Sequence, residues 1–451
     1  MEANFGSLVV MIVALLVLVL AIMKFKVHPV FALILVALGS AIAFGFPINE
    51  VVSTVTGGFG STIGKIGVVI ILGCTIGVIL EDTGGALVLA NTILRLVGKK
   101  RSTLAMALSG YLVSIPVFSD SAIVILSPVA RSLSARSGVP LICLLGALNA
   151  GILATHTMVP PTPGPLAATG TLGADLGLVI ALGLVSAAFY TVAATLWCKS
   201  KYCVSRYPQP AKMESVEQSI NEDFTLKTSR KLPNAPLTFA CILVPVILIC
   251  VHSFLNMSLP ADATILKYSA FVGDPVIALF IGVLLCLFLD TSKFSKTQVY
   301  SWFDKSVESS GFIILATGAA GAFGAVLQAS GVGTYLGNLI AETHLPAVFV
   351  PFLVSLLLSV SNGSATVSLT TGSAIILPLM PALGLHPAIA VLAIAAGSSF
   401  FYHANASHFW VVCRSNDLDM KEGLTLCSVG TAIGSVAAFI AVWIMSIFIT
   451  A

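Results

Sequence analysis

The chain has 451 residues, of which 57% are hydrophobic and only 9% charged, with a formal net charge of +3 and a mean hydropathy of +1.03. Soluble domains carry roughly 25% charged residues, so this composition excludes a soluble enzyme and describes an integral protein of the lipid bilayer. No basic cluster of nucleic-acid type is present, which excludes a nucleic-acid partner, and the nine Cys, with no C-x-x-C pair, read as small core residues.

Taken in chain order, apolar runs long enough to cross a bilayer occur near 7–23, 29–46, 62–80, 139–156 and 175–197. A second set falls near 236–254, 271–289, 308–327, 385–402 and 424–449. The first run has the length of a signal peptide but lacks a basic n-region and a small-residue cleavage site, so it reads as a span. Lys24 and Lys26 follow the first run, Lys99, Lys100 and Arg101 follow the third, and Arg131 and Arg136 precede the fourth. Residues 198–234 form a polar linker with seven basic residues. Basic residues mark the cytoplasmic side. Five crossings satisfy these markers only if the segment 103–134 enters and leaves on one side, as a re-entrant hairpin with PVFSDSA at its tip.

The second half repeats the first. Gly77, Leu80 and Gly84 line up with Gly324, Leu327 and Gly331, and His156 with His403, at an offset of 247 residues. SDSAIVIL (119–126) lines up with NGSATVSL (362–369), setting Ser121 and Ala122 against Ser364 and Ala365. An odd number of crossings and a cytoplasmic linker make the second copy enter from the opposite side. Inverted repeats with paired broken elements mark alternating-access secondary transporters. The expected fold is therefore all-α and polytopic, with two inverted repeats, each of about five transmembrane helices plus a re-entrant hairpin. Repeat 1 covers 1–197, with its hairpin at 103–134 and a broken helix at 139–170; repeat 2 covers 235–451, with its hairpin at 346–382 and a broken helix at 385–413.

Chemistry is expected at the tips and breaks. Ser119, Ser121, Asn362, Gly363, Ser364 and Thr366 allow close backbone approach or supply donors, and free N–H groups at the start of a half-helix favour an anion. The breaks ATHTMVPPTPGP (154–165) and FYHANASHFW (401–410) add His156, Thr157, Thr162, His403, Asn405 and Ser407 as ligand-lining candidates. Asp120 stands between two apolar runs, where a carboxylate is costly unless it is paired, hydrated or protonated. Asp120 is a candidate both for contact with the substrate and, with His156 and His403, for proton coupling. Glu81, Asp82, Lys65 and His408 read as structural. Sodium is the alternative coupling ion, since tips rich in Ser, Asn and Gly also suit Na+. A metal hydrolase using His156, His403, His408 and Asp120 is the rival of another class, although no H-E-x-x-H spacing supports it. A passive channel is a third. No metal site and no organic cofactor is expected.

At these residues the sequence resembles the gluconate permease family of bacterial inner-membrane symporters, which includes the D-serine and idonate permeases. The resemblance runs nearly full length, through IMKFKVHPVFALIL, GVILEDTGG, PVFSD, HTMVPPTPGP, VGDPVIALFIG, GAAGAFGAVLQASG, NGSATVSLTT and the FW of ASHFWVV. It sets Asp120 where the family usually has Glu, His156 on the family His, and Asn405, Phe409 and Trp410 on its Asn and Phe-Trp. Thr162 replaces a usual His, Ala406 a common Asp, and His408 a typical Gly. The resemblance implies proton symport of a small polar carboxylate (a hydroxy acid, sugar acid or hydroxylated amino acid) across the bacterial inner membrane. It also implies a scaffold with a mobile, elevator-type transport domain, and a homodimer.

Overall fold

A computed structural model describes residues 5–25, 27–98, 101–211, 232–260, 262–289, 295–332, 346–403 and 406–450. Helices dominate these residues, and no named strand occurs among them; one isolated bridge joins Leu385 and Thr450. The first half contains α1 (Phe5–Met23), α2 (Pro29–Ala43), α3 (Ile48–Asp82), α4 (Gly85–Val97), α5 (Ser102–Val113), α6 (Ser119–Ser137), α7 (Leu141–Met158), α8 (Pro163–Leu172), α9 (Leu176–Cys198) and the short α10 (Lys201–Arg206). The second contains α11 (Ala235–Ser258), α12 (Thr264–Val272), α13 (Pro275–Leu287), α14 (Lys296–Ala329), α15 (Phe349–Asn362), α16 (Ala365–Ile376), α17 (Pro387–Ser398), α18 (Ser407–Ser415) and α19 (Gly430–Phe448). Seven helices among the described residues are long and apolar enough to cross a bilayer, or eight if the bent pair α12–α13 counts as one span. The protein is a multi-pass membrane protein.

Local sequence explains where the helices begin. Pro29, Pro163, Pro275 and Pro387 stand in the first turns of α2, α8, α13 and α17, where a missing N–H costs nothing. The Asp175 and Asp274 carboxylates accept from backbone N–H groups of Leu178 and Val276 and cap α9 and α13. The helix α3 is longer than its apolar run, because Ser53 and Thr56 donate to their own preceding carbonyls and do not interrupt it. Its 35 residues make about 52 Å of helix, well over the thickness of a hydrocarbon core.

The starts of α2, α3, α5, α6 and α7 precede those of α13, α14, α15, α16 and α17 by 246 to 248 residues. Two of these matched helices, α3 and α14, lie against each other and run antiparallel. Gly58 meets Gly321 near one end, where a Cβ on Gly58 would come within 2.7 Å of the Gly321 carbonyl. At the other end Trp302 Nε1 donates to Asp82 Oδ2 at 2.8 Å, and Lys305 Nζ lies 3.5 Å from Asp82 Oδ1.

The core surrounds α7, α8 and α17, which are buried nearly all round, as expected of helices apolar on every face. By contrast α1, α11 and α19 expose large apolar side chains such as Leu16, Phe254 and Ile447. Such faces suit lipid. The hairpin α5–α6 and the pair α15–α16 pack on this core from the two halves.

Candidate functional site

Two helix pairs cross between the halves. The helix α18, which follows the second break, packs on α6, which follows the first tip. Reciprocally α8, after the first break, packs on α16, after the second tip. In each pair the contact begins at helix N-termini.

The pair α6–α18 holds the ionisable groups. Asp120 lies in the first turn of α6, whose N-cap is Phe118. His408 Nδ1 donates to Asp120 Oδ1 at 2.9 Å, and the Ser407 hydroxyl lies 3.4 Å from Asp120 Oδ2. The other ring nitrogen of His408, Nε2, is 2.8 Å from Oδ1 of Asn149 in the middle of α7. Tyr402 closes the edge of the imidazole, ring centres 5.9 Å apart. His408 is enclosed, with 4% of its side chain exposed, while Asp120 keeps 44%. Further along, Asn416 Nδ2 donates to Ser127 Oγ at 2.9 Å and Arg131 pairs with Asp417 at 2.7 Å. These contacts fix the two helices parallel along their length.

Two proton arrangements satisfy His408. As a cation it donates from both nitrogens, to the Asp120 carboxylate and to the Asn149 carbonyl oxygen. As a neutral ring it keeps the proton on Nδ1, and the Asn149 amide turns so that its NH2 group donates to Nε2. Asn149 can therefore serve either charge state without leaving a buried atom unpaired. His156 is in the last turn of α7, its ring 6.5 Å from Phe118. Its Nδ1 is buried without a hydrogen-bond partner among the described residues, and it lies within electrostatic reach of Asp120 and His408.

The pair α8–α16 is different. A Cβ on Gly164 would lie 3.6 Å from Thr366 Oγ1 and 2.7 Å from Leu369 Cδ1. Ser364 Oγ accepts from the Val367 N–H at 3.4 Å and caps α16, and Gly363 ends α15 with φ +68°. Thr162 donates to Val159 O and Thr157 to Leu153 O, so both buried hydroxyls are committed to their own helix or turn. His403 Nε2 donates to Val360 O at 2.9 Å, tying the second break to the second tip. His156 and His403 thus each stand by the tip of their own half and do not meet in one cluster. Ser119 is buried beside Asp120 and Ser121 is half-buried. Asn405, and the side chain of Asn362, lie outside the described residues.

Sequence reasoning assigned His408 a structural part and passed over Asn149. A signal existed for the second: Asn149 precedes His156 by seven residues, two helical turns, which puts both on one face of α7. His408 stood out only as replacing the Gly typical of the resembling family, a departure that names no partner. Among the described residues no group of three His, Cys, Asp or Glu side chains could hold a metal ion.

The family described as GntP family permease matches residues 6–448. A gluconate permease of Pseudomonas aeruginosa is 33% identical over 440 residues, covering 97% of this chain and 96% of that one. The Gnt-II system L-idonate transporter of Escherichia coli is 29% identical over 438 residues, covering 96% and 98%. Among solved structures, the YdaH transporter of Alcanivorax borkumensis superposes with a TM-score of 0.68 at 15% identity, covering 93% of this chain and 98% of that one. That similarity concerns the fold.

Proposed function

The chain belongs to the GntP permease family, a family of transporters and not of enzymes, and from that premise we propose that it imports a small hydroxylated carboxylate by proton symport. The substrate class is sugar acids of the gluconate and idonate type, by similarity to the relatives that carry those names. The observation that carries the proton reading is the chain Asp120–His408–Asn149 at the meeting of α6 and α18. A half-exposed carboxylate backed by an enclosed imidazole can take a proton from the open side and share its charge with the ring. The Asn149 amide accommodates both states. At the meeting of α8 and α16 two half-helix N-termini, with Gly164 the one N–H among the first three residues of α8 and Ser364 Oγ taking that of Val367 on α16, face the space left for the substrate carboxylate.

Alternating access follows from the proposed inverted repeat. It is supported by the constant offset of the helix starts and by the antiparallel contact of α3 with α14. The crossed pairs α6–α18 and α8–α16 join the tips and breaks of both halves into one body that could move as a unit, as an elevator requires. The setting is the bacterial inner membrane, with the basic residues of the 198–234 linker on the cytoplasmic side, and a homodimer is the proposed assembly.

Uptake of labelled gluconate and idonate into proteoliposomes tests the reading. Accumulation driven by an inward proton gradient, with sodium absent, is the expected result. Accumulation that needs a sodium gradient at fixed pH would move the coupling to Na+, and equilibration without accumulation would make the protein a passive channel.

A further inference from the structure

The helices α5 and α9 run antiparallel and leave a groove between them. At one end Tyr111 Oη donates to Leu184 O at 2.5 Å. From there an apolar cavity of about 440 Å³ follows the two helices, floored by Ala107 and walled by Leu104, Leu108, Val192 and Leu196. All four wall residues are exposed. Ala188 and Lys199, both in its lining, are about 16 Å apart along α9. At the far end Thr103, Leu104 and Lys199 also line a second cavity of about 380 Å³, which adds Arg101 and Ser102. One continuous feature therefore has an apolar channel and a polar, cationic mouth.

The charge at the mouth is not balanced. No acidic side chain lines either cavity, and Arg101 and Lys199 are exposed and form no ion pair among the described residues. In sequence Lys99 and Lys100 directly precede Arg101, and Lys201 follows two residues after Lys199. Trp197 stacks on Tyr202 at the same end, ring centres 5.6 Å apart, with the Arg206 guanidinium over the Tyr202 ring. Amphipathic rings gather at the depth of lipid headgroups.

We propose that this groove is a binding site for a membrane phospholipid with an anionic headgroup. One acyl chain lies along α5 and α9, and the phosphate meets Arg101 and Lys199. Basic pockets between membrane helices on the cytoplasmic side suit such headgroups, and each nearby cation adds to the attraction. A second copy of the chain fits this face less well. Two copies share one orientation in a membrane, so a twofold contact here would set basic mouth against basic mouth, and like charges juxtaposed oppose association.

Native mass spectrometry of the full chain, purified in detergent and supplied with phosphatidylglycerol and phosphatidylcholine in equal amounts, tests the proposal. Wild type is expected to retain phosphatidylglycerol by about tenfold or more. The R101Q/K199Q double variant loses that preference, while K267Q, altered at an exposed lysine on α12, keeps it. L196W fills the groove without touching the charges and lowers retention of both lipids. Equal retention of the two lipids by wild type, or an unchanged preference in the double variant, would overturn the proposal. Displacement of phosphatidylglycerol by inorganic phosphate alone would reduce the mouth to a free-anion site and also overturn it. So would a dimer that dissociates in L196W with no lipid lost, which would assign the face to a second copy.

Discussion

The two places where half-helices of opposite halves meet are built alike and furnished differently. At α6–α18 the chain supplies its own carboxylate to the helix N-termini and backs it with His408 and Asn149. At α8–α16 the corresponding positions are Thr162, Pro163 and Gly164 facing Ser364, Ala365 and Thr366, and none of these is ionisable. A helix N-terminus carries roughly half a positive charge and favours an anion. In one pair that attraction is already met by Asp120. In the other it is still available. On the proposed function, that difference divides coupling from recognition: the N-terminus that holds an acid would serve the proton, and the one that holds none would serve the substrate carboxylate.

Among changes that leave Asp120 in place, the largest expected effect is at Asn149. Asn149→Leu leaves His408 Nε2 enclosed without a partner, which costs about 1–3 kcal/mol; melting of the purified variant should fall accordingly, and melting at the wild-type temperature would mean that Asn149 does not serve the ring. Gly164→Ala comes next. Its Cβ meets the end of Leu369, which must shift, and fills the space up to van der Waals contact with Thr366, so KM for the carboxylate should rise about tenfold, near 1.4 kcal/mol, while the dependence on the proton gradient is kept. A loss of proton coupling in this variant would show that the two pairs are not separate in function.

His408→Gln is milder. The amide can still donate to Asp120 in place of the ring Nδ1. Uptake by this variant should fall a few-fold at most, because Asp120 keeps a donor; loss of proton-driven accumulation would show that the imidazole itself is needed for coupling. Arg131→Gln should matter least. Its partner Asp417 is 84% exposed, and exposed pairs contribute about 0.2–1 kcal/mol, so transport should persist with a barely lowered melting temperature. A collapse of transport there would mean that the outer end of α6–α18, and not Asp120, controls the pair.

Much of the architecture was legible in the sequence because the bilayer permits so little. Apolar runs such as 7–23 and 175–197 match α1 and α9 to within two residues at each end, and a helical membrane protein follows from composition alone. The family motifs were equally legible. The tip register was less so. Matching Ser121 and Ala122 to Ser364 and Ala365 keeps two letters identical, but the helix starts set Ser119 opposite Ala365. The cause is turn length: five residues, Ser114 to Phe118, separate α5 from α6, whereas only Gly363 and Ser364 separate α15 from α16. The site was harder still. Asp120 announced itself as an acid among apolar residues, but its partner stands 288 residues away. A single His in an apolar stretch carries no sign of which acid it will meet; only the crossing of α18 over α6 decides that.

The central claim is that Asp120 carries the coupling proton and is not needed for substrate exchange. Asp120→Asn in proteoliposomes separates the two, by measuring both gradient-driven accumulation of the sugar acid and its counterflow against preloaded substrate. The account predicts that counterflow survives within a few-fold of wild type while accumulation driven by a proton gradient is abolished. Full proton-driven accumulation by Asp120→Asn would contradict it.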